Sequence, residues 1–100
     1  LARDVYLALY NTWHQEIFLN NANAEQIHME NIKNLLDKYG IADPVTDYTP
    51  GVFTAPHLNE LYQIMVTKGV TSFENALMVG ANIEDMGIFN MNRLIAQADN

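Results

Sequence analysis

Cysteine is missing from this sequence, which removes thiolate metal sites, thiol catalysis and a disulfide framework together while leaving the compartment open. Positive charge is scarce as well: five Lys and Arg stand against twelve Asp and Glu, for a formal net charge of -7. No basic stripe exists to follow a phosphate backbone, so nucleic acid is not an expected partner. Ser72 is the only serine and no glycine-rich phosphate loop occurs, so hydrolase and kinase chemistry has nothing to stand on. Apolar runs are short; Val5 to Tyr10 falls far below the roughly twenty residues of a membrane span, and no signal peptide is visible. Nothing alternates for more than a few positions, which leaves no strand signal.

What is present suits a single all-α domain over residues 1–100. A hydrophobic fraction of 49% is too high for disorder at this charge, and the chain is long enough to bury its own core. Ala2, Val5, Tyr6, Leu9 and Trp13 recur at helical spacing, with Arg3, Asp4 and Asn11 expected on the polar side. A second helix is predicted from Glu16 to Tyr39, stopped by Gly40, with Lys38 favourable to its last turn. Residues 41–53, carrying Pro44, Pro50 and Gly51, read as a connection. Thr54 is the expected cap of a short helix that has Pro56 in its first turn and ends at Gly69. Thr71 and Glu74 form a capping box for a last helix reaching about Gln97, with Ala98 to Asn100 as a turn. The roughly thirty residues between the two long helices allow them to run parallel with a crossover.

The chemistry concentrates in Glu25-Gln26-Ile27-His28. On a helix, Glu25 and His28 lie on one face, in a heptad row of Phe18, Asn21, Glu25, His28, Ile32, Leu35 and Tyr39. The last helix has a comparable row of Phe73, Leu77, Gly80, Glu84, Ile88, Met91 and Ile95, with Asp85 one step round as a rival acid. An unpaired charge is costly inside a core, so either something cationic or hydrogen-bonding meets these groups or they face water. Carboxylate with imidazole suits iron or manganese, and tolerates zinc. The bland alternative is a satisfied or solvated polar pair on a structural helix. Tyr6 reads as a core aromatic with a satisfied hydroxyl, His14 and His57 as surface groups near helix ends, and the five Met as core filler.

Several stretches together resemble one family: the opening LARDVYLALY, Ala24 to Met29 as AEQIHM, Lys33 to Tyr39 as KNLLDKY followed by Gly40 to Pro44, Pro50 to Phe53 as PGVF, and Gly80 to Asp85 as GANIED. The chain is similar to the ferritin-like, rubrerythrin-related domains of the domain-of-unknown-function 2202 family. The resemblance implies a ferritin-like up-down four-helix bundle, with a short extra helix in the crossover between the second and third long helices. It implies a pair of iron or manganese ions, with Glu25, His28 and Glu84 as ligands and Tyr6, Arg3 and Asp85 as their supports. If the protein is an enzyme, that site implies a di-iron oxidoreductase such as a peroxidase or ferroxidase. In rubrerythrin-like proteins a further Glu ligand precedes the Ala-Arg-x-x-Tyr stretch, which puts it upstream of Leu1. The family's last, His-bearing helix would follow Asn100. The resemblance therefore implies a partial domain, trimmed at both ends, and a homodimer through bundle faces is compatible with it. The alternative function is a metal-free structural or interaction domain, its acids satisfied by Arg3, Tyr6 or water.

Overall fold

The computed structural model of the protein describes the backbone of residues 1–43, 45 and 47–98, and the side chains of those up to residue 86. Four helices follow one another: α1 Ala2–Trp13, α2 Glu16–Lys38, α3 Pro56–Gly69 and α4 Phe73–Ala98. No strand occurs among the described residues. Helix α1 is the hub, since the other three all pack on it, while α2 and α4 do not approach each other closely along their backbones.

The reason lies in the composition of α1. Val5, Tyr6 and Leu9 are essentially inaccessible to water, and they face Phe18 and Ala22 of α2, Met65 of α3, and Ala76, Val79 and Ile83 of α4. Burial of an aliphatic or aromatic side chain contributes about 1.5–3 kcal/mol, so these few positions fix the layout. At one end of the bundle the ring of Phe73 stands edge-on to both Trp13, 6.0 Å between centroids, and Phe18, at 6.1 Å. The Trp13 indole donates to the Gly69 carbonyl at 2.8 Å, which anchors the end of α3 there. From that aromatic end α2 and α4 run in the same direction, with Phe18 and Phe73 near their starts and Met29 and Met86 further along beside the start of α1. The expected parallel course with a crossover is thus present.

Turn chemistry explains the boundaries. His14 ends α1 in the left-handed conformation, φ 54, and its N–H returns to the Tyr10 carbonyl at 2.8 Å. Histidine is among the residues that tolerate that region. After Lys38, the Gly40 N–H reaches the Asp37 carbonyl at 3.2 Å and the Ile41 N–H reaches Leu36 at 2.9 Å, with Gly40 at φ 65. This is the Schellman closure that the glycine predicted. Thr49 to Val52 forms a turn with Pro50 and Gly51 at its centre, where Gly51 takes φ 84. Asp43 and Asp47 accept from the N–H groups of Val45 and Thr49, at 2.9 and 2.8 Å, so the connection supplies its own acceptors.

Three local expectations are corrected. The cap of α3 is Ala55 in extended backbone, one residue beyond Thr54, with Pro56 opening the first turn. The cap of α4 is Ser72, whose hydroxyl accepts from the Asn75 N–H at 3.0 Å; Thr71 donates instead to the Lys68 carbonyl at 2.6 Å, so no Thr71–Glu74 box forms. Either hydroxyl could reach the start of α4, and only the register of the α3–α4 turn decides between them.

The third correction concerns Arg3 and Asp4, which are 9% and 4% exposed. The Arg3 Nε donates to Asp4 Oδ1 at 2.7 Å, its Nη1 to Gln26 Oε1 at 2.7 Å and its Nη2 to the Tyr48 carbonyl at 2.6 Å. The other oxygen of Asp4 accepts from the Gly51 N–H at 3.0 Å. Every arm of this pair is used, which is what permits its burial. Among the remaining expectations, Met65 is buried but Met78 and Met86 are 50% and 36% exposed, so methionine is core filler only in part. The side chains of Ile88, Met91 and Ile95 and the predicted turn at Asp99 and Asn100 lie outside the described residues.

Two substitutions separate conformational from electrostatic contributions. Gly40→Ala meets open space, so its cost is the left-handed backbone alone, about 1 kcal/mol in chemical denaturation. Arg3→Ala strands a buried carboxylate and is expected to cost about 3 kcal/mol or more, loosening residues 47–52 in hydrogen exchange.

Candidate functional site

A groove runs between α2 and α4 with α1 as its floor. Towards the aromatic end it is a cleft of about 180 Å³ over Tyr6, with Phe18 and Asn21 on one wall and Leu77, Gly80 and Glu84 on the other. Towards the start of α1 lies a second, separate cleft of about 250 Å³, between Glu25 and Met29 on one side and Ile83 and Met86 on the other. The two predicted acids therefore line neighbouring clefts between α2 and α4, Glu84 the first and Glu25 the second. The helices place them there for the same reason: each sits beside a buried row, Phe18 and Ala22 on α2, Ala76, Val79 and Ile83 on α4.

Tyr6 sits between the two acids. Its hydroxyl donates to Glu84 Oε1 at 2.5 Å and lies 3.4 Å from the Gly80 carbonyl. Burial pushes the phenol well above its ordinary value near 10; the hydrogen bond to Glu84, and then the negative charges of Glu84 and Glu25, push it the same way. The proton on Tyr6 Oη is thus firmly held, and the hydroxyl is a fixed donor at the Glu84 carboxylate. Glu25 makes its near approach to His28, with 3.8 Å between Oε2 and Nδ1. That is too long for a hydrogen bond, and the His28 side chain is 56% exposed against 29% for Glu25.

The predicted site is therefore brought together in part. Glu25 and His28 approach each other on α2, Glu84 and Tyr6 meet across α1 and α4, and Glu25 and Glu84 line separate neighbouring clefts. Asp85 is exposed, and Arg3 supports neither acid, its guanidinium being committed to Asp4, Gln26 and Tyr48. Among the described residues no three acid or imidazole side chains gather into a cage for one ion. Carboxylates and imidazole fit iron or manganese in kind, but one chain brings too few of them to a single point.

The expected α2 seam also needs correction. Phe18 is buried, but Ile32, Leu35 and Tyr39 are 46%, 53% and 69% exposed. The face turned to the bundle is Phe18 and Ala22, continued by half-buried Glu25, Gln26 and Met29, so His28 is rotated outward by about one residue, 100°. Gln26, which receives Arg3, was invisible to pattern reading because its role depends on a partner distant in sequence.

A sequence model of the family described as "Uncharacterized protein domain (DUF2202)" matches residues 1–100. The chain is 51% identical over 100 residues to the uncharacterized protein MJ0754 of Methanocaldococcus jannaschii, a match that covers all of this chain and 54% of that protein. It is likewise similar to the crystal structure of hypothetical protein MJ0754 from Methanococcus jannaschii, with a TM-score of 0.94 and 50% identity over 99% of this chain and 57% of that one. The chain spans about half the length of the relatives it matches. No described helix is long and apolar enough to cross a membrane.

The held proton on Tyr6 has a measurable consequence. An unfolded chain releases a tyrosine proton near pH 10, whereas folded Tyr6 keeps its proton to higher pH. Its contribution to stability is complete below about pH 10 and is lost as pH rises beyond that. Tyr6→Phe should therefore flatten the alkaline limb of stability against pH, read by denaturation at a series of pH values. An alkaline limb of unchanged slope in the variant would contradict this assignment.

Proposed function

We propose, for a chain that belongs to the DUF2202 family of uncharacterized domains, a carboxylate-type metal-binding helical domain of ferritin-like arrangement that takes iron or manganese at the α2–α4 groove. The observation that carries this reading is the placement of Glu25 and Glu84 on two parallel helices, both within electrostatic reach of one buried hydroxyl on a third. The order of the helices supports the ferritin-like arrangement: two long helices run in the same direction, a shorter one occupies the crossover, and ionisable residues lie midway along apolar rows.

Glu25 and Glu84 would hold the metal through carboxylate oxygens and His28 through a ring nitrogen. When bound, iron or manganese supplies one-electron chemistry towards oxygen, peroxide or ferrous iron. Tyr6 keeps its proton on Oη and orients the Glu84 carboxylate by donating to Oε1, leaving Oε2 as the oxygen turned to other uses. Phe18 and Ile83 are buried beside these clefts, whereas Leu77 and Glu84 are exposed, so the Glu84 carboxylate keeps access to solvent and to an incoming ion.

A second reading is a metal-free interaction domain, and it is favoured by a specific observation. Ile32, Leu35 and Tyr39 on α2 and Leu77 and Met78 on α4 are large apolar side chains left in water. Such rows mark contact surfaces when they are contiguous.

Metal analysis of the full-length protein after anaerobic loading with Fe(II) or Mn(II) separates the two. Stoichiometric metal retained by the wild type and lost from Glu25→Ala and Glu84→Ala, with helical circular dichroism unchanged, is the expected result. A wild type that emerges metal-free after loading sinks the metal reading in favour of the interaction domain.

A further inference from the structure

A cavity of about 410 Å³ lies between the start of α1, Met29 of α2 and the segment from Val45 to Leu58, and it is larger than either cleft between α2 and α4. Its wall is mainly apolar, with Met29, Val45, Val52, Phe53 and Leu58 around it, and most of that wall comes from the middle of the chain. Hydrogen bonds keep the segment from falling inward to fill it. Arg3 holds the Tyr48 carbonyl at 2.6 Å, and Asp4 holds the Gly51 N–H at 3.0 Å. Phe53 is braced by the Tyr62 ring, 5.4 Å between centroids. Val45 and Val52 are 40% and 45% exposed, which leaves apolar surface in water at the border of the cavity and an open way in. A volume of this size falls in the range of small-molecule sites, roughly 300–1,000 Å³, and such sites combine an apolar wall with a few placed polar groups.

The polar groups here are Arg3 and Asp4, 9% and 4% exposed, both bordering the cavity. Their charges cancel, and Asp47 at the border adds a negative one in a protein already at -7. An anion is therefore repelled, and a cation would have to leave water for an apolar wall beside a guanidinium. A neutral molecule meets neither cost. A guanidinium carries five N–H groups. The bonds to Asp4, Gln26 and the Tyr48 carbonyl use three of them, which leaves one N–H on each terminal nitrogen of Arg3. These charged donors select an acceptor oxygen in the occupant. An apolar cavity of about 150 Å³ admits one benzene ring, so this one has room for two. We propose that the cavity is a binding site for a neutral, two-ring-sized apolar molecule whose carbonyl oxygen accepts from Arg3. The site is separate from Glu25, His28 and Glu84 and stands whichever reading of those residues holds.

The test uses the full-length protein with benzophenone, a neutral two-ring ketone that also labels neighbouring C–H bonds under near-ultraviolet light. Titration followed in methyl NMR spectra should show saturable binding at one molecule per chain, and peptide mass spectrometry should place the photolabel on Met29 or within residues 45–58. Diphenylmethane, the same shape without the oxygen, should bind about tenfold more weakly, as the loss of a hydrogen bond to a charged group implies. The para-benzoylbenzoate anion, which adds a carboxylate, should also bind more weakly than benzophenone. Val52→Trp fills the cavity from an exposed position, and Leu58→Trp fills it from the α3 side; each should abolish binding with helical circular dichroism unchanged. No saturable binding, a photolabel placed elsewhere, or binding indifferent to both variants overturns the site. Diphenylmethane or the anion binding as tightly as benzophenone overturns the assigned class of ligand.

Discussion

The Arg3 guanidinium is the contact on which the rest of the arrangement depends. It is almost fully buried at the start of α1, and its hydrogen bonds run to its own helix, to Gln26 on α2 and to the backbone of the connecting segment at Tyr48. Asp4 neutralises it and in turn holds the Gly51 N–H. Three stretches of chain, α1, α2 and the connecting segment, are thereby fixed to one buried pair. Gln26 is tethered one residue from Glu25, so the side of α2 that looks towards α4 is set by Arg3 rather than by Glu25 or His28 themselves. The same tether delivers the connection to α3, whose packing on α1 positions the turn into α4 and hence Glu84. Arg suits this place because its planar fork of donors can satisfy three directions at once, which the compact ammonium of Lys cannot reproduce.

This pair was also where the sequence misled. Arg3 and Asp4 interrupt the apolar stripe of α1 and were expected on its polar side, as isolated charges usually are. Their burial depends on Gln26, Tyr48 and Gly51, which lie 23 to 47 residues from the side chains they meet, and helical periodicity contains no information about such partners. Local signals fared differently. The end of α2 at Gly40, the Pro50-Gly51 turn and the Pro56 start were legible because each states a backbone conformation that few residues can adopt. The Thr54 and Thr71 caps missed by one residue for the opposite reason: several neighbouring side chains could serve, and the choice was made by packing.

The candidate site was half legible. Glu25 and His28 announce themselves by spacing and Glu84 by its place in an apolar row, and the fold sets the two acids along neighbouring clefts, each within electrostatic reach of Tyr6. Tyr6 was correctly read as a satisfied core hydroxyl, but its partner could not be named, because nothing local links residue 6 to residue 84. Its raised phenol is a consequence of three helices meeting, with burial first and the two carboxylates behind it. The supporting role expected of Arg3 is not seen because each of its three nitrogens is directed to another partner, Asp4, Gln26 or the Tyr48 carbonyl, rather than to Glu25 or Glu84.

The α2 row carries the remaining lesson about what hydrophobic periodicity reports. Helix α2 has 23 residues and α1 has 12, so at 1.5 Å per residue α2 is about 34 Å long and overhangs a partner of about 18 Å. α1 covers Phe18 and Ala22, but it cannot reach Leu35 or Tyr39 at the far end. Ile32, Leu35 and Tyr39 are exposed there, so the row expected as an internal seam is not one: the pattern identified the helix correctly and its buried face wrongly. The poor intrinsic helix formers of α2, five Asn between residues 20 and 34, sharpen the point. A long helix weak in propensity depends on the packing that Phe18 and Ala22 provide near its start. Apolar periodicity along α2 therefore reports that a helix forms, while which face is buried is decided by where the short α1 can reach.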